Sequence, residues 1–165
     1  MSGQSGGGNN ECPPFAKAIS EFFKDSLEVS FDIIKHMIDD NLAILSKISE
    51  ERNDKWISDL RKVLGKAEEV CDIAFDIVTY EILSSFIKES DIKKHEGDLQ
   101  NAVQDLWYVH ENLKVLQKED NEELAEKVVE AATGALDNLE NMLFTIIGSI
   151  NMSVGELKSY CDMRR

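Results

Sequence analysis

From Phe15 onward, apolar residues recur three and four positions apart, and no alternation with a period of two lasts more than a few residues. That spacing places one apolar stripe along each of several long helices and predicts an all-α chain. The first predicted helix opens at Pro13 and Pro14, which suit a first turn because its amide protons have no intrahelical partner, and it continues to about Ser49. Its seam runs through Phe23, Leu27, Ser30, Ile34, Met37, Asn41, Ile44 and Ile48, widened by Phe31, Ile38, Leu42 and Leu45. The polar cluster Ser49 to Asp54 ends the pattern, with Asp54 as the cap of the next helix.

The second helix carries Ile57, Leu60, Leu64, Ala67, Cys71, Ala74 and Val78 inward and is expected to reach about Glu89. A shorter third helix follows from near Asp98 to Gln117, with Leu99, Val103, Leu106, His110 and Leu113 inward. Asp120 and Glu123 have the spacing of a capping pair for a fourth helix, from about Asn121 to Asn151. That helix has Val128, Ala132, Ala135, Leu139, Met142 and Ile146 on its seam. Gly155 is expected to interrupt it, leaving a short amphipathic tail from Glu156 to Met163.

Short connections make neighbouring helices antiparallel, so the expected fold is an up-down-up-down four-helix bundle with a short C-terminal helical extension. Helices of thirty or more residues would span roughly 45 to 50 Å, which the third helix cannot match. A bend or break is therefore expected at Ser84 and Ser85 or at Asn41, giving five or six helices by formal assignment. Residues 1–11 read as a flexible Gly/Ser-rich segment and 12–165 as one helical-bundle domain.

An even number of antiparallel helices returns the chain to the pole where it began. Cys12 and Cys161 would then lie near each other and could form a disulfide worth roughly 4 to 5 kcal/mol in the chain-entropy model. The competing reading is two unpaired thiols in a reducing compartment, and with Cys71 three pairings exist. Cys71 sits on an apolar seam with no base one turn away, so it reads as a small buried hydrophobe.

Composition then narrows function. A net charge of -14, from 32 acidic and 18 basic residues, repels phosphate backbones and anionic lipid surfaces, so nucleic acid is not an expected partner. No apolar run is long enough for a transmembrane segment. Histidines His36, His95 and His110 lack the Glu-x-x-His spacing of di-iron bundles, and no paired-cysteine, phosphate-loop or nucleophile-elbow motif occurs. No cofactor, metal or catalytic activity is expected. Asn151-Met-Ser153 fits the N-glycosylation acceptor pattern; with the terminal cysteines it tilts the reading towards secretion, against a cytoplasmic alternative.

Counting turns places Asn41 and His110 in one layer of the bundle, as a buried polar pair fixing register or as a titratable group inside the core. The stretch from Asn141 to Gly155 contains no charged residue, although 30% of the chain is charged. Within it Phe144, Ile147, Asn141 and Thr145 form a candidate face for a partner or ligand, unless the C-terminal tail covers them. Two functions follow: a secreted acidic bundle that binds a protein partner, or a carrier of a small apolar ligand. The second resembles exchangeable lipid-carrying bundles in helix number and amphipathicity alone, and would need a cavity lined by Phe22, Phe31, Ile34, Leu106 and Leu139.

Overall fold

The computed structural model describes the backbone of residues 14–163 and the side chains of residues 26–163. Its elements are α1 (Pro14–Glu51), α2 (Lys55–Thr79), the short α3 (Glu81–Ser84) and α4 (Glu89–Lys93), α5 (Glu96–Lys118) and α6 (Glu122–Met163). The long helices form a ring: α1 packs on α2 and α5, and α6 packs on α2 and α5. This is the expected four-helix bundle, in six formal helices.

Direction is fixed by polar contacts between helices. Asn41 donates to the Leu106 carbonyl, and Arg52, just past α1, donates to the Leu116 carbonyl, so α1 and α5 run parallel. One pole carries the turns at residues 52–54 and 119–121, tied together by Arg52, whose Nη1 lies 3.5 Å from the Asp120 carboxylate. The other pole carries the α3–α4 segment, beside residues 26–30 of α1 and Ser149 of α6.

The seam of α1 is Leu27, Phe31, Ile34, Ile38, Asn41, Leu45 and Ile48, alternating four and three. It is centred one position away from the sequence expectation: Phe31, Ile38 and Leu45 are fully buried, while Ser30, Met37 and Ile44 are half-buried. Ser30 explains part of the shift, since its hydroxyl donates to the Ser26 carbonyl of its own helix and has no need of the core. In α2 and α6 the expected seams are buried throughout. In α5 the buried set is Leu99, Ala102, Leu106, Val109, Leu113 and Leu116, so Val103 and His110 lie beside the seam.

The break expected at Ser84 and Ser85 is present, but an earlier one precedes it. Tyr80 adopts an extended backbone (φ -76°, ψ 109°) and separates α2 from α3. Just before it the Thr79 hydroxyl donates to the Phe75 carbonyl at 2.8 Å, a side-chain bond that competes with the helical ladder. After α3 the chain tightens through Phe86 N–H to Leu83 carbonyl and Ile87 N–H to Ser84 carbonyl bonds. The Lys88 amide, orphaned at the start of α4, donates to the hydroxyl of buried Ser149 on α6 at 2.8 Å. Asn41 causes no break, and α1 passes through it.

Two further expectations are corrected. Gly155 does not interrupt α6, which continues as one helix to Met163, with Ser153, Leu157 and Cys161 half-buried along the extended seam. Caps also differ: Asn121, not Asp120, accepts from an amide of α6 through its side chain (Leu124 N–H, 3.0 Å), while Asp54 stands at the α2 cap position without a side-chain cap bond.

Candidate interaction face

The side chains named from the sequence fall into three places. On α6, Phe144 is 63% exposed and Ile147 38%, with Asn141 exposed and Thr145 half-buried. The helical period sets this arrangement. Met142, Leu143, Ile146, Ser149 and Ile150 turn into the bundle, which leaves the intervening Phe144 and Ile147 outside. The Thr145 hydroxyl donates to the Asn141 carbonyl at 2.8 Å, a bond within the helix. Because α6 runs on without folding back, its last turns do not cover this face. Met152 and Val154 extend the exposed, uncharged surface.

The glycines of α6 differ in their surroundings. A Cβ at Gly134 would meet the Asp105 carboxylate oxygen at 3.0 Å, so this glycine serves the close approach of α5. Asp105 is itself half-buried there, and burial pushes its carboxyl above the usual range. Gly148 and Gly155 have nothing within 4 Å of such a Cβ. Packing therefore does not require glycine at those two positions.

Inside the bundle, Asn41 is fully buried and donates through Nδ2 to the Leu106 carbonyl at 3.2 Å, while its Oδ1 has no partner. The expected pairing with His110 is not made. The layer is right, because Leu106 lies one turn before His110, but His110 points away from the seam and stacks on Trp107 with ring centroids 5.4 Å apart. It is half-buried at the bundle surface, so it is not a titratable group within the core. Four residues nominated for a ligand cavity, Phe31, Ile34, Leu106 and Leu139, are fully buried members of the apolar core. The fifth, Phe22, lies outside the described side chains.

Cys161 is a half-buried free thiol; Cys12, its expected partner, lies outside the described residues. Cys71 is buried and free, and burial pushes its thiol up to about 12, far from the thiolate that reactivity requires. Asn151 is exposed, and its acceptor motif lies within the continuous α6.

One cluster escaped the sequence reading. At the α1–α2 contact, Lys35 pairs with Asp72 at 2.7 Å and lies 5.1 Å from the centroid of the Phe75 ring. Beside them a hydrogen bond with Asp39, followed by burial, raises the Glu68 carboxyl to about 7. Only the register between two helices brings these groups together, so no spacing along one helix announces them. Among the described residues no group of histidines, cysteines and carboxylates could hold a metal ion, and no helix is long and apolar enough to cross a membrane.

Compared with family models, curated proteins and solved structures, the chain matches none.

Proposed function

We propose that this chain is a non-catalytic interaction protein that binds a protein partner through the uncharged outer face of α6. The observation that carries the reading is Phe144, 63% exposed in a charge-free stretch of a chain whose net charge is -14. Aromatic residues are the usual anchors of protein interfaces, and charges are depleted at interface centres. Ile147, Met152 and Val154 supply flanking apolar area, and Asn141 and Thr145 a polar margin. The carrier alternative draws no support from Phe31, Ile34, Leu106 and Leu139, which are packed in the core. Secretion is a separate part of the reading, supported by the exposed Asn151 in its acceptor motif; a glycan there would stand beside Ile147 and Val154 and exclude a partner from this face, and intact mass of natural material reports it directly.

The test places a photo-crosslinking residue at position 144 and, separately, at Glu130, which is also exposed on α6 but lies in its charged half. A partner crosslinked from 144 and not from 130, then reconstituted from purified components, should lose at least about tenfold in affinity with Phe144→Asp. Equal crosslinking at both positions, or unchanged affinity, would refute the interface.

A further inference from the structure

Gly148 marks the outermost line of α6: the buried Ile146 and Ile150 turn to the other side of the helix, and nothing lies within 4 Å of where its Cβ would stand. At about 3.6 residues per turn, Asn141, Phe144, Thr145, Asn151, Met152 and Gly155 all fall within about 60° of that line. The charge-free face is thus centred on position 148. Its two large members, Phe144 and Met152, are 63% and 61% exposed and stand four residues before and four after that centre.

The charges that bound the face follow the same symmetry. Exposed Asp137 and half-buried Glu140 lie eleven and eight residues before Gly148, and exposed Lys158 lies ten residues after it. A second α6 laid antiparallel across the face, with a two-fold axis at Gly148, brings each Lys158 level with Asp137 and Glu140 of the other copy, on the same edge. Glu156, on the opposite edge, is already held by Lys88 of its own chain. A parallel arrangement would instead set Asp137 beside Asp137 and Lys158 beside Lys158.

We propose, resting on the reading of this face as an interface, that its partner is a second copy of this chain, packed as an antiparallel pair of α6 helices crossing at Gly148. In that register the side chains interlock as knobs in holes. Phe144 enters the hole formed by Gly148, Asn151, Met152 and Gly155 of the second copy, where two glycines leave room for a ring. Met152 enters the hole formed by Asn141, Phe144, Thr145 and Gly148. A net charge of -14 makes two copies repel, and a face without charge, closed at each end by opposite charges, keeps that repulsion lowest. A basic partner would be better served by a face rich in carboxylates. The shared length of about 22 Å is small for a stable interface, so the dimer should dissociate in the micromolar range.

Sedimentation equilibrium of the unglycosylated chain between about 1 and 200 µM should show a monomer passing into a dimer. Phe144→Asp and Gly148→Leu should each weaken the dimer at least about tenfold without loss of fold, since neither side chain faces the core. Lys158→Glu should weaken it about threefold, and adding Asp137→Lys should restore most of that loss. In a chain carrying Cys12→Ser and Cys161→Ser, Gly148→Cys should form an intermolecular disulfide at least about tenfold faster than Glu130→Cys, because the crossing sets the two side chains at 148 face to face. A monomer throughout that range overturns the proposal, as does a dimer indifferent to Phe144→Asp or to Gly148→Leu, or equal disulfide formation at 148 and 130. A glycan on Asn151 of natural material also overturns it, since the sugar would fill the hole that Phe144 needs. A monomer that still crosslinks from position 144 to another protein removes only the second copy and keeps the face, whereas a monomer with no crosslinked partner refutes both.

Discussion

The two halves of α6 share one helix and one apolar seam but differ on the outside. From Glu122 to Glu140 the exposed positions include Glu122, Glu123, Glu126, Lys127, Glu130 and Asp137. From Asn141 to Gly155 they are Asn141, Phe144, Ile147, Asn151, Met152, Val154 and Gly155. Burial on the inner side is similar in both halves, with Ala132, Leu139, Met142 and Ile146 all sealed from solvent. The contrast teaches that the loss of charge is not a by-product of packing, since the second half leaves its outer face as open as the first. Solubility favours charge at such positions, and its absence is what the proposed partner face would require.

The largest effect expected on this contrast comes from setting an inner residue against an outer one. Leu139→Ala should cost about 3 kcal/mol because it opens a void in a fully buried layer, whereas Phe144→Ala should cost about 0.5 kcal/mol or less. Urea unfolding of both variants measures the difference, and a large loss at Phe144 would show that it is part of the core. Next in size is Ser149→Ala, which strips the Lys88 amide of its acceptor and should cost about 1 to 2 kcal/mol, seen first as faster hydrogen exchange around α4.

Glycines sharpen the comparison further. Gly148→Ala should stabilise by about 0.7 kcal/mol, since nothing lies in the way and helical glycine is entropically unfavourable, while Gly134→Ala should gain less or destabilise against Asp105. Thermal melts of the two variants decide it. The smallest effect concerns α1 and α2. Glu68 carries a folded-state value near 7, above its ordinary 4.5, so the folded protein holds that proton more tightly. Stability from this group is therefore greatest at acidic pH and declines as pH rises from about 4.5 through 7. Exposed His36, raised by the Asp32 carbonyl and carboxylate, adds a dependence of the same sign, which falls away above its ordinary 6.5. Glu68→Gln should flatten the profile by about 2 °C in Tm between pH 5 and 8 and leave the histidine contribution in place.

Periodicity alone made α2 and α6 legible, because Ile57 through Val78 and Val128 through Ile146 are apolar or small at each three-or-four step. Around α1 the apolar stripe is wide enough to admit two neighbouring seams, and the partner helices chose Phe31, Ile38 and Leu45 over Ser30, Met37 and Ile44. His110 was misplaced for the same reason: Val109 beside it is the better core residue. The break at Tyr80 was hidden because no glycine, proline or polar cluster marks it in the sequence. Gly155 looked like a stop, yet Leu157 and Cys161 continue the seam beyond it. The uncharged face could be read directly from the sequence, since the absence of charge needs no register; its exposure could not, since that depended on the course of the last turns of α6. A cavity between the starts of α2 and α6 was illegible because residues 54–59 and 120–129, far apart in the chain, line it together.

Arg52 reaches across from one turn to the other at a pole where both loops are short. Each loop closes a hairpin of sequence-adjacent rods, and residues 80–95 form the spine joining the two hairpins. Two of the four long-helix interfaces thus join neighbours in the chain, and the other two, α1 on α5 and α2 on α6, close across that spine. The Arg52 guanidinium is the clasp that holds the two hairpins together at that pole.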